Sequence, residues 1–152
     1  MLDRVLARFA HVKSADRPWR SEGPGDFLLY KDLGVFDATN GQVVVQLVRA
    51  AKAPQRGTPW HRHEALFHIL FMTRGWAKFM HEDRLTLLEA GDCLHQRPGI
   101  VHCLFDYSPD MEYLEIAAPG DFGTIEMPAR CALPAPAPWP EAALCESETA
   151  GA

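Results

Sequence analysis

Between residues 27 and 117 the chain is a succession of short β-prone runs, each cut by a turn signal. The runs cover 27–32, 42–49, 65–73, 76–81, 84–88, 93–97, 102–107 and 111–117. Between or after them stand Asn40-Gly41, Arg74-Gly75, Ala90-Gly91-Asp92, Pro98-Gly99, Ser108-Pro109-Asp110 and Pro119-Gly120. Branched and aromatic residues suit a pleated, half-buried surface, while Gly, Pro, Asn and Asp supply the backbone angles of tight turns. Asn-Gly is also the strongest short hairpin signal. Strands this short and this evenly spaced predict an all-β sandwich or barrel. Segments 43–48 and 66–72 are apolar on both faces, and a barrel interior covers only one of them. The other face calls for a covering helix or a second subunit, so a homodimer is expected.

The ends read differently. Leu2, Val5, Leu6, Phe9 and Val12 fall at helical spacing, which predicts a short amphipathic N-terminal helix over 1–13. Residues 14–25, with Pro18 and Pro24, read as a linker. Residues 121–152 form a Pro/Ala-rich tail that ends small and acidic, either disordered or laid as a strap over the body. The expected organisation is an arm and linker over 1–25, a barrel over 26–120 and a tail over 121–152. A chain of 152 residues suits one core. The net charge of −5, with no two basic residues adjacent, argues against nucleic acid as a partner. No apolar run approaches a membrane span, and the N-terminus lacks a signal-peptide core. Cys93, Cys103, Cys131 and Cys145 show no tight pairing pattern, which reads as reduced thiols in the cytoplasm.

Four of the seven histidines cluster in two places. His61 and His63 follow Pro59-Trp60; two apart on a strand, they present both rings to one side. His68 lies on the next run, and His102 starts a strand just after the Pro98-Gly99 turn. Neutral imidazole is a common ligand for iron, nickel, zinc and copper. His61, His63, His68 and His102 are therefore the candidate ligands of one divalent metal ion per chain, with Fe, Mn, Ni and Zn all open. His11, His81 and His95 read as surface or structural residues.

These residues resemble the two motifs of the cupin superfamily. The first motif runs His61-x-His63, four residues, His68, six residues, Gly75; the second runs Gly91-Asp92, then Pro98-Gly99, two residues and His102. The resemblance implies an all-β double-stranded β-helix, that is a jelly-roll barrel, with the metal in its mouth. The chain departs from the pattern where His68 stands for the usual Glu, Arg97 for a Pro and Asp106 for an Asn, and Gly57 lies closer to His61 than usual. Three histidines and a carboxylate leave a site charge of about +1, whereas four neutral histidines leave about +2, which favours an anionic or enolisable ligand.

Strand parity places Leu66, Leu70 and Met72 on the face of His68, and Leu104 and Asp106 on the face of His102. Gln46, alone among apolar neighbours, and Gln96, beside the turn, are polar candidates for binding a substrate or orienting a histidine. The expected pocket of Gln46, Leu66, Leu70, Met72, Gln96 and Leu104 suits a small organic molecule. The favoured function is a metal-dependent oxidoreductase of dioxygenase type acting on an enolisable or aromatic compound, with no side chain identified as a general base. The alternatives are a redox-silent lyase, isomerase or cyclase, and a non-catalytic ligand-binding or sensing module.

Overall fold

A computed structural model describes residues 7–21, 26–55 and 57–140. The elements in chain order are β1 (Arg20–Ser21), β2 (Leu28–Asp32), helix α1 (Val35–Ala38), β3 (Val44–Ala50), β4 (His61–Glu64), β5 (Phe67–Arg74), β6 (Trp76–His81), β7 (Arg84–Glu89), β8 (Cys93–His95), β9 (His102–Tyr107), β10 (Glu112–Ala118) and β11 (Gly123–Glu126). They form two antiparallel sheets, β1-β2-β3-β10-β5-β8 and β11-β4-β9-β6-β7, which make the expected jelly roll. Gly75 switches the chain from one sheet to the other. Its φ of 65° and the side chains of Ser108 and Asp110 leave no room for a Cβ there.

Alternation makes the core. On β10, Tyr113, Glu115 and Ala117 are buried while Glu112, Leu114 and Ile116 are half-buried. Val48, Leu70, Met72, Phe79, Leu104, Tyr107 and Met111 meet between the sheets in the main apolar cluster. A fully buried leucine such as Leu70 contributes about 2–5 kcal/mol relative to alanine.

Four local expectations are corrected. Asn40-Gly41 does not close a two-residue hairpin: α1 fills the link between β2 and β3, and the positive φ angles of Asn40 and Gly41 end that helix. Residues 7–13 are not helical, and the rest of the expected helix lies outside the described residues. Phe9 is 96% exposed and Val12 rests half-buried against Gly34, while Arg8 holds the segment: its backbone N donates to Ala38 O and its guanidinium donates to Asp37 O. Residues 14–21 are no free linker, because β1 pairs with β2 and Trp19 lies under Lys31 and Arg49. Asp106 does not share the face of Leu104. In the β6–β9 ladder Lys78 pairs with Asp106 and Phe79 with Leu104, so Phe105 is an extra residue and the bulge turns Asp106 outward.

Outside the second sheet, residues 127–140 run as an ordered strap. Cys131 and Leu133 pack on Met80, Cys103 and Phe105, Ala137 N donates to Asp106, and Trp139 Nε1 donates to Tyr107 O at 3.0 Å. The strap covers β6 and β9 of the second sheet, not β3 and β5, whose outer faces were expected to need a helix or a partner.

Candidate metal centre

A cross-strand ladder builds the centre. His61 on β4 is paired with His102 on β9, and His102 is paired in turn with His81 on β6. His63 lies two residues along β4, opposite Thr124 on β11. The ring centroids of His61 and His102 are 4.3 Å apart, and each lies within 4.9 Å of His63. One nitrogen from each of His61, His63 and His102 lies within 4.8 Å of the other two.

Their hydrogen bonds fit a cation. His61 Nδ1 donates to Pro59 O at 2.6 Å and His102 Nδ1 donates to Ile100 O at 2.9 Å. A carbonyl only accepts, so in each neutral ring the proton sits on Nδ1 and Nε2 keeps its lone pair. His63 Nδ1 is 2.9 Å from Thr124 Oγ1. Burial pushes the rings toward the neutral form that a ligand requires: His63 down to about 3, His102 down to about 2, and His61 down as well. The three histidines could therefore hold a divalent ion.

His68 stands apart from this set. Its ring is 4.9 Å from that of His63, but both nitrogens are engaged. Nε2 is 2.9 Å from Glu115 Oε2 and Nδ1 is 3.1 Å from Gln96 Nε2. Glu115, on β10, is the group that sequence reasoning missed. Gln46 Nε2 donates to its other oxygen at 2.6 Å. Burial, the largest single influence, raises the Glu115 pKa, but His68, Gln46 and His63 together outweigh it and the net shift is downward. The available signal was parity, since Glu115 shares the buried face of Tyr113 and Ala117.

All these groups open onto a cavity of about 720 Å³. Gln46, Leu70, Gln96 and Leu104 line it as the sequence suggested. Leu66 does not: it precedes β5, where strand parity has not begun, and is 70% exposed. Met72 does not either, because it lies further along β5, fully buried with Leu88, Tyr107 and Met111. Phe122 and Thr124, beyond the expected barrel boundary, also line the cavity, and the Phe122 ring lies 5.0 Å from His63 and 5.3 Å from His68. Arg17 and Arg20 of the N-terminal arm complete the mouth.

Residues 43–112 match the family model of the AraC-like ligand-binding domain. Solved structures with the same fold include KdgF from Halomonas sp. (18% identity, TM-score 0.60, covering 74% of this chain and 94% of that one). The polyketide cyclase RemF from Streptomyces resistomycificus is similar at 15% identity and a TM-score of 0.65, covering 78% and 85%. Pac13 of Streptomyces, a nucleoside dehydratase, is similar at 12% identity and a TM-score of 0.54, covering 82% and 96%. No curated protein matches the chain by sequence. At these identities the likeness is one of fold, and 257 solved chains match, so it does not choose a reaction. The two histidine motifs and this fold together are similar to those of the cupin superfamily.

Proposed function

We propose that the chain is a divalent-metal-dependent enzyme that moves a proton on a small carbonyl-bearing organic compound, in the manner of an isomerase, lyase or cyclase. The observation that carries this reading is the Glu115 carboxylate, buried in the same cavity as the three neutral histidines. His61, His63 and His102 are the proposed ligands. A divalent ion there would polarise a carbonyl oxygen and acidify the neighbouring C–H. Glu115, held ionised by His68 and Gln46, takes that proton; the C–H pair becomes the new carbon–carbon double bond and the carbonyl pair moves to oxygen. Returning the proton at another carbon completes an isomerisation, and giving it to a leaving group completes an elimination. Leu70, Leu104 and Phe122 wall the substrate body and exclude water. The names of RemF and Pac13, a cyclase and a dehydratase, agree with this class of chemistry.

A dioxygenase, which the histidines alone favoured, would use the same three ligands; oxygen separates the two readings. The test follows deuterium exchange at the central carbon of a 1,3-diketone by NMR, with zinc-loaded protein under nitrogen. Exchange is expected, slowed about 10²–10⁴-fold in Glu115→Gln. No exchange, together with oxygen uptake by the iron-loaded protein, returns the assignment to a dioxygenase; binding without either makes the chain a sensor. We also propose a homodimer, supported by the exposed Phe71, Leu85 and Leu87, and a cytoplasmic location, supported by the free thiols of Cys93, Cys103 and Cys131.

A further inference from the structure

We propose that Gln96 and Glu115 lock His68 in the tautomer opposite to that of His61 and His102, which keeps it off the metal and leaves a three-histidine ligand set. This rests on the metal site proposed above.

The hydrogen-bond chain runs in one direction. A carboxylate accepts only, so His68 Nε2 must carry the proton that meets Glu115 Oε2. His68 Nδ1 is then bare and needs a donor, which Gln96 Nε2 supplies at 3.1 Å. That orientation turns Gln96 Oε1 toward His81, whose Nε2 donates to it at 2.8 Å. His81 Nδ1 is left to accept from Thr86 Oγ1 at 2.9 Å. One buried charge thus dictates the proton positions of four residues across both sheets. The backbone fixes the key member, because Gln96 N donates to His68 O at 2.7 Å.

In His61 and His102 the partner of Nδ1 is a backbone carbonyl, which leaves Nε2 bare for a metal. In His68 the partner on Nδ1 is a donor and the proton sits on Nε2. An amide does not pass a proton on, so the chain from Thr86 to Glu115 orders the site rather than conducting through it. His68 is therefore a positioning residue that aims and ionises Glu115. Three protein ligands leave three positions on an octahedral ion, one more than a four-histidine site.

Imidazole nitrogen NMR of the full chain, metal-free and with one equivalent of zinc, reads the lock directly. His68 is expected to carry its proton on Nε2 in both samples, while zinc moves the Nε2 resonances of His61, His63 and His102. Zinc affinity should stay within about threefold of wild type in His68→Gln and fall on the order of 100-fold or more in His63→Gln, more than loss of an outer partner costs. In Gln96→Glu, which offers only acceptors, a proton should appear on His68 Nδ1. A zinc-induced shift at His68 Nε2, an equal loss of affinity in the two histidine variants, or an unchanged His68 in Gln96→Glu would each overturn the proposal. If zinc moves none of the four rings, the metal assignment fails, and the lock stands or falls on the metal-free spectrum. That spectrum reads proton positions without any turnover, so failure of the proposed reaction leaves it interpretable.

Discussion

Metal-free protein should lose stability on mild acidification, and the loss should trace to the site. In the unfolded chain a histidine takes up its proton near 6.5. In the folded protein burial holds His63 to about 3 and His102 to about 2. Below pH 6.5 the unfolded state therefore binds protons that the folded state refuses, and stability falls until the folded values are reached. From pH 7.5 to 5.0 each ring contributes about 1.36 × 1.5, or roughly 2 kcal/mol. The two give about 4 kcal/mol, and about half that after allowing for the partial solvent access of His63. His61 and His81 are lowered by burial too and add in the same direction. Glu115 does not enter above pH 5, because its pKa is lowered from 4.5 and its contribution is lost only at still lower pH. A loss of 2–4 kcal/mol lowers the thermal midpoint by roughly 4–16 °C in a chain of this size. Calorimetry in a metal chelator at the two pH values measures it, with His102→Gln removing about half of the two-ring effect. Equal wild-type midpoints at pH 7.5 and 5.0, or an undiminished pH dependence in both His63→Gln and His102→Gln, would refute the assignment of neutral, buried rings.

Three further outcomes follow from the same geometry. Gly57→Ala forces a Cβ onto the Leu104 carbonyl and the Phe105 backbone at a φ of 72°, and should cost about 1–3 kcal/mol in urea denaturation while weakening zinc binding. Trp139→Ala removes the strap's anchor on Tyr107 and should cost about 1–3 kcal/mol, with zinc affinity unchanged because the strap lies outside the barrel. Sedimentation should give twice the 17.0 kDa chain mass, reverting to 17.0 kDa in a Leu85→Lys/Leu87→Lys variant; a wild-type monomer would withdraw the dimer.

Features set by near neighbours in the chain were legible in the sequence. Alternation and turn residues located eight of the strands to within a residue or two, because each depends on a handful of adjacent side chains. The His61, His63 and His102 cluster was legible for the same reason, since a strand's period places the first two and a Pro-Gly turn starts the strand of the third. The N-terminal stripe misled because helical spacing is necessary for an amphipathic helix but not sufficient. With the Phe9 side chain in solvent, Val12 against Gly34 is the one apolar contact residues 7–13 are seen to make, too little to offset the entropy of ordering a helix.

What stayed hidden was set by pairing between distant strands. Gln46 stood out in the sequence as a polar residue needing a partner, and Glu115 was a charged residue in an apolar run, but they lie sixty-nine positions apart. Only the β3–β10 register makes them neighbours, and only the β5–β10 register brings His68 to the same carboxylate. Spacing therefore reports that a histidine occupies the ligand position, while the cross-strand partner decides where its proton sits. The same ring reads as a fourth ligand beside a carbonyl and as the partner of a base beside a carboxylate. For His68 that cross-strand partner is a carboxylate, so the Gln46–Glu115–His68 contact is as much a part of this site as the motif that drew attention to it.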